Sequence, residues 1–230
     1  MIKLEKTDIS GWEAAVRGMR NPLNSWNKSD SAWFIVDEEC DLTKVRYQIG
    51  ENDLALMKKL AKAGSDHSKF LRMINITVDI TAPLYWWKEC DTYKVGTIAN
   101  SCSTMHKIHD KEFVLDDFSH EHLGKDEIIS GNNCNIAMGC LRQTIKVLNT
   151  ARAWYLGTNE KKYWWLMIQL LPQSYNQKRT VQLNYQVLKN MYHARKNHKL
   201  DEWREFCKWC EKLPYFKEIC ISTEKENKDG

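Results

Sequence analysis

The stretch Lys58–Val78, KKLAKAGSDHSKFLRMINITV, passes from one kind of periodicity to another. At its start Leu54, Met57, Leu60 and Ala61 fall on one face at helical spacing. Asn52 or Asp53 can cap that helix, and Gly64 stops it. SDHSKF reads as a loop. LRMINITVDI then sets Met73 and Asn75 against Ile74, Ile76, Val78 and Ile80, the period of a half-buried strand that Pro83 ends. Helix, short polar-aromatic motif and strand in direct succession predict a mixed fold.

Outward from this stretch the pattern stays mixed. ISGWEAAVRGM predicts a first helix, and SAWFIVDEECD and KVRYQIG predict two strands around a polar turn. LYWWKECDTY fits a helix better than a strand. Residues 107–132 are polar and read as an irregular excursion, a loop of the length that is usually functional or mobile. CNIAMGCLRQTIKVLNTARAWYLGTN predicts a helix ending near Gly157, and EKKYWWLMIQLLP an apolar helix stopped at Pro172. TVQLNYQVLKNMYHARK turns Val181, Leu183, Val187, Leu188 and Met191 inward, and LDEWREFCKWCEKLPYF closes the chain. A few early strands followed by many helices predict the α+β class: a small sheet surrounded by helices, one domain over residues 1–230, with 222–230 as a tail.

Composition narrows the function classes. Of 230 residues 43% are hydrophobic and 28% charged, and four Pro with ten Gly leave no flexible linker. The net charge of +4 suits an anionic small molecule, and no long basic tract points to nucleic acid. The N-terminus lacks an apolar core of signal-peptide length and no stretch approaches a membrane span, so the expectation is a cytoplasmic protein with no membrane partner. The eight cysteines then count as thiols. Cys207 and Cys210 of CKWC lie on the apolar face of a helix and read as core. HKIHD and SHEH lack the paired spacing of a closed zinc site, so no metal is expected. Ten Trp point first to an aromatic core, with flat-ligand stacking as the alternative for Trp86 and Trp87.

The segment most suggestive of a site is CDTYKVGTIANSCSTMH, Cys90 to His106, a polar loop directly behind a buried stretch. Its hydroxyls, amide, Lys94 and His106 could meet an anion. Ser101, Ser103 and Thr104 could equally satisfy their own turn, and His106 could be a solvent histidine.

Three pieces in order resemble the flavin-dependent thymidylate synthases. DHSKFLR keeps Ser68 and Phe70 of that family's H-x-S-P-F-E-H, with Arg72 at the second histidine. Behind the next strand and short helix, Asn100 and Ser103 keep the N-x-x-S of R-H-R-x-x-S-x-N-E-x-S-x-R. Ser101 takes the glutamate position, Met105 the final arginine, and Tyr93, Lys94 and Val95 stand at R-H-R. Towards the C-terminus Asn184 is followed at the family's interval by Arg195, and Arg204 of EWR follows one residue early. LLPQSYNQKRT is similar to the family's LP-x-x-Y-T loop.

The resemblance implies a homotetramer that binds FAD and dUMP. It would take a methylene group from methylenetetrahydrofolate and reduce it with hydride relayed from NADPH. It assigns Arg72, Asn100, Asn184 and Arg195 to FAD, and Lys94, Ser101, Ser103 and Arg204 to the nucleotide. No catalytic residue is singled out. The bland alternative for Arg195 and Arg204 is a solvated helix face or pairing with a neighbour such as Glu202, and for Asn184 a helix cap. Loss of the R-H-R arginines also keeps open a nucleotide- or flavin-binding relative without synthase activity, or a phage-type accessory protein that uses the fold only to assemble.

Overall fold

The structure is a computed structural model that describes residues 1–36, 44–123 and 136–222. Its elements in chain order are β1 (Lys3–Ser10), α1 (Trp12–Arg20), β2 (Ala32–Val36), β3 (Lys44–Gln48), α2 (Glu51–Lys62), β4 (Asn75–Pro83) and α3 (Leu84–Cys90). They continue with β5 (Ile98–Ser101), α4 (Ile136–Thr158), α5 (Lys161–Leu170), β6 (Asn176–Asn184), α6 (Tyr185–Arg195) and α7 (Asp201–Cys210).

One antiparallel sheet runs β1-β4-β6-β5, and β2 with β3 forms a separate hairpin. Strand β4 alternates as its sequence predicts, with Ile76, Val78, Ile80 and Ala82 buried and Thr77, Asp79 and Thr81 half-buried. The buried row packs with Val181 and Leu183 of β6, Trp86 of α3, Leu188 and Met191 of α6, and Trp203 and Phe206 of α7. Trp86 is the hub: its ring lies 4.8 Å from Trp87, 4.7 Å from Trp203 and 5.9 Å from Phe206. Losing a ring of this size costs about 3–5 kcal/mol. The expectation that Trp86 and Trp87 are core holds. Cys207 and Cys210 are core as well, and burial pushes the Cys207 thiol up to about 11.

A second apolar cluster joins Ile108, Phe113 and Phe118 to Leu141, Leu148 and Ala151 of α4 and Met167 of α5. Asn149 of α4 accepts from Phe113 N at 2.8 Å and donates to its carbonyl at 2.9 Å, so a side-chain amide stands in for a strand neighbour. Arg152 donates to the carbonyls of His109 and Asp110. Residues 107–123 thus form an irregular segment tied to α4, with one 3₁₀ turn at Leu115–Asp117. The remainder of the 107–132 excursion, and all but Ser222 of the 222–230 tail, lie outside the described residues.

Four local expectations are corrected. Residues 176–184 are a strand running straight into α6, so the sheet is completed late in the chain and not early. Residues 3–10 form β1, and the first helix starts at Trp12, after Gly11 has turned the chain with φ 89°. Residues 98–101 of the polar loop add β5 to the sheet. Neither Asn52 nor Asp53 caps α2. Asp30 does so from outside, accepting from Asn52 N at 2.8 Å and Asp53 N at 3.1 Å. A Cβ on Gly50 would stand 2.2 Å from that carboxylate, which is why glycine precedes the helix.

Asp53 is instead the centre of a buried polar knot. Its carboxylate accepts from Arg20 Nε at 2.5 Å, from the hydroxyls of Ser29 and Ser31 at 2.6 Å, and from Ser31 N at 3.1 Å. Arg20 spends its other donors on the carbonyls of Ser25 and Lys28. The knot ties the end of α1 to α2 through an otherwise irregular crossing.

Candidate functional site

Strand β6 carries two polar side chains on its inward face. Gln177 is buried and Arg179 is half-buried, whereas Val181 and Leu183 continue the same row with apolar groups. Arg179 lies with its guanidinium carbon 4.1 Å from the centre of the Trp87 ring. Its Nε donates to Gln177 Oε1 at 3.0 Å and its Nη1 to Asp91 Oδ1 at 2.7 Å. Gln177 in turn donates to the carbonyl of Cys102, and its own carbonyl accepts from Trp87 Nε1. An arginine is thereby held on an aromatic floor by a pre-organised set of partners.

Beside it opens a cavity of about 270 Å³ lined by Trp87, Cys90, Asp91, Tyr93, Lys94 and Thr97, with Ala99 and Val181 behind. Lys94 is exposed at its rim. The Thr97 hydroxyl oxygen is buried and has no hydrogen-bond partner among the described residues. An unpaired buried hydroxyl costs about 1–3 kcal/mol, so a ligand that bonded to it would recover that cost. Burial, with Asp91 adding to it, pushes the Cys90 thiol up to about 12, so it stays protonated and inert.

The loop that walls the cavity is set on the N-terminus of α6. Gly96 has φ 77°, and a Cβ there would meet Asn184 Nδ2 and Val187 Cγ2 at 3.2 Å. Asn184 caps α6, its Oδ1 accepting from Val187 N at 3.1 Å. Its bland reading as a cap is what this geometry displays.

Arg195, at the end of α6, reaches the same region. Its Nε donates to the Tyr93 hydroxyl at 3.0 Å, and its Nη1 faces Glu89 Oε2 at 3.2 Å. It also lies over the rings of Trp203, at 5.0 Å, and Tyr93, at 5.7 Å. Glu89 Oε2 accepts from Trp203 Nε1 at 2.7 Å and stands 3.4 Å from His198 Nε2. Arg204 donates to the carbonyls of His198 and Lys199 and pairs with Asp201, so its donors close its own turn.

The structure therefore joins Tyr93 to Arg195 directly, sets Lys94 beside Tyr93 in the cavity lining and Asn184 against Gly96 of the same loop, and brings Arg204 to His198, which faces Glu89. Asn100 and Ser101 are exposed on β5, opposite Thr180 and Arg179. Ser103 accepts from His106 N at 2.9 Å, the turn reading of that hydroxyl. Arg72 is exposed at the end of a 3₁₀ turn, and no described contact joins it to the others. Arg179 and Gln177 were not singled out from the sequence. The available signal was Gln177-x-Arg179-x-Val181-x-Leu183, a period of two whose inward row begins polar.

Among the described residues no three His, Cys, Asp or Glu lie close enough together to hold a metal ion. His109, His120 and His122 of the two histidine clusters are used separately, by Asp110, the Phe118 carbonyl and Asp201. No described helix is long and apolar enough to cross a membrane.

This architecture is the fold of the flavin-dependent thymidylate synthases. It superposes on thymidylate synthase X from Helicobacter pylori with FAD and dUMP at a TM-score of 0.64 and 15% identity, covering 98% of this chain and 100% of that one. A second structure of that enzyme, complexed with FAD and dUMP, gives 0.65 at 16% identity over 97% and 100%. The UMP/dUMP methylase PolB from Streptomyces cacaoi, bound with 5-Br dUMP, gives 0.56 at 14% identity over 95% and 94%. No family model and no curated protein sequence matches the chain.

Proposed function

We propose that the protein is a flavin-dependent thymidylate synthase-like methyltransferase that methylates dUMP reductively to dTMP. It would use methylenetetrahydrofolate as carbon donor, NADPH as reductant and FAD as cofactor. The observation that carries this reading is Arg179. The loop Cys90–His106 lacks the R-H-R arginines of the resembling family, and a strand arginine lies beside that same loop. A phosphate entering the cavity would compete with Asp91 for the Arg179 Nη1 and gain Lys94 at the rim.

When bound, FAD supplies the hydride chemistry. The chain's residues would do the positioning. Trp87 fixes the Arg179 plane, the Thr97 hydroxyl offers a hydrogen bond inside the cavity, and Glu89 with Tyr93 holds Arg195 at its mouth. Asn184 Nδ2, close to Gly96, would face the cofactor side. Ser101, Ser103 and Asn100 would offer polar groups from the adjoining edge strand and turn, Arg204 would have to release Asp201 to reach a nucleotide, and Arg72 would serve a site on a neighbouring copy. The cavity of about 270 Å³ admits a ring system or a mononucleotide but not the whole of FAD. That supports a site completed between subunits; the proposed assembly is a homotetramer, in a cytoplasmic protein without nucleic-acid or membrane partners.

The second reading, a nucleotide- or flavin-binding relative without turnover, is favoured by one observation. Arg195 and Arg204 both have internal carboxylate partners already. Two measurements separate the readings. The synthase would be yellow as purified, or become so with added FAD, and would release tritium from 5-tritiated dUMP in the presence of methylenetetrahydrofolate and NADPH. A colourless protein that dUMP stabilises against heat, with no tritium release, would establish the binding relative instead. No shift with either ligand would leave the assembly role.

A further inference from the structure

The hairpin β2–β3 stands over the first turns of α1 and the segment Pro214–Tyr215, and encloses a cleft of about 590 Å³. The cleft shares no lining residue with the cavity beside β5. Four rings line it: Trp12, Trp33, Tyr47 and Tyr215. They are arranged edge to face, Trp33 with Tyr47 at 5.2 Å and Trp12 with Tyr215 at 5.5 Å. Trp33 is 55% exposed, so much of its indole surface is open to a ligand. Its orientation is nevertheless fixed, because its Nε1 donates to Glu13 Oε2 at 3.2 Å. Tyr215 is held in a left-handed backbone conformation, φ 56°, with its hydroxyl accepting from Ile49 N at 3.3 Å. A non-glycine residue keeps that conformation only where its surroundings impose it.

Two guanidiniums, Arg17 of α1 and Arg46 of β3, line the same cleft. Both side chains are exposed, and among the described residues neither forms an ion pair or a hydrogen bond. This is unlike Arg20, Arg179, Arg195 and Arg204, each of which has a carboxylate partner. Fixed aromatic walls with two unpaired forked cations match one ligand chemistry: a flat heterocycle carrying phosphate. Stacking on indole and bidentate guanidinium–phosphate contact are the same pair of forces by which aromatic and arginine side chains hold nucleotides elsewhere.

We propose that this cleft is a second binding site, for a nucleoside phosphate, separate from the site beside β5. Trp33 stacks on the base, Arg17 and Arg46 take the phosphates, and Glu13 keeps the indole in place. A ligand here bridges the hairpin to α1 and Tyr215.

The test is calorimetric titration of the full chain with ATP, with adenosine and inorganic triphosphate as separate arms. ATP is expected to bind at least about tenfold tighter than either part, because each part engages half of the site. Arg17→Ala combined with Arg46→Ala should weaken ATP by about tenfold or more, and Trp33→Ala by a similar factor. Arg179→Ala should leave ATP affinity unchanged. Trp33, Arg17 and Arg46 are exposed and Arg179 is half-buried, and thermal melts of each variant check that the fold is retained. Three results would overturn the proposal: no heat at millimolar ATP, equal ATP affinity in the double variant, or an ATP affinity that follows Arg179. A double variant that changes sedimentation without ligand would show that the cleft is a subunit contact, and would overturn it also.

Discussion

Asp53 shows how much one side chain can carry. Burial alone would raise its carboxyl, but hydrogen bonds from Ser29, Ser31 and Arg20 and the Arg20 charge outweigh that and hold it below the ordinary value. Its stabilising share is therefore present above the unfolded value of about 4 and is lost as pH falls through its lower folded value. Asp53→Ala should cost about 3–5 kcal/mol in urea unfolding at neutral pH, because Arg20 is left buried and unpaired. The difference in melting temperature between the native chain and Asp53→Asn should narrow as pH drops below about 4. Asp53 looked like a helix cap in the sequence because its position before an apolar helical face is where caps belong. Only the approach of Asp30, from a segment more than one turn away, reassigns it. Arg179 is the counterpart at the candidate site. Arg179→Ala should weaken dUMP by about tenfold or more with the fold intact, read by thermal shift against dUMP concentration. An unchanged affinity would remove the basis for placing a phosphate there.

At the level of elements, the legible parts were those whose burial matches their chemistry. Strand β4 and helices α2 and α7 put most of their apolar groups inside and most of their charges outside, Asp53 and Glu202 being the buried exceptions, and α3 and α5 are apolar enough to stand out between their polar flanks. Strand β6 hid because Gln177 and Arg179 fill two of its inward positions and because it enters α6 without a turn. Strand β1 hid because it is an edge strand, mostly exposed, with its alternation shifted by an irregularity between Glu5 and Asp8. The candidate site was half legible for the same reason. Lys94, Asn184 and Arg195 lay in recognisable motifs, and the arginine that meets their loop lay in the unread strand. The loop itself makes a separate prediction. Gly96→Ala should cost about 1–2 kcal/mol from backbone conformation, with contact on Asn184 and Val187 added. It should also weaken any ligand of the cavity, whereas Gly64→Ala, with open space around its Cβ, should show only the backbone cost.

Across the whole molecule the buried thiols of the described residues all belong to the first apolar cluster, and the second holds none. Cys90, Cys207, Cys210 and Cys220 are buried, whereas Cys102 and Cys140 are exposed. Alkylation of the native protein followed by peptide mass mapping should label Cys102 and Cys140 well before Cys90, Cys207, Cys210 and Cys220, and denaturant should abolish the difference. Early labelling of Cys207 or Cys210 would mean that α7 opens, and would revive a reactive role for CKWC.

The order β1-β4-β6-β5 has a consequence during synthesis. Strand β4 ends at Pro83, and the strand that covers its free edge does not begin until Asn176. As the chain leaves the ribosome, Ile76, Val78 and Ile80 are exposed on a strand with one open side while roughly another ninety residues are made, several seconds at ordinary elongation rates. Pairings this distant in sequence are also slow to form. The nascent chain is thus most prone to aggregate in that interval, and chaperone demand should fall once residues beyond Asn184 have emerged.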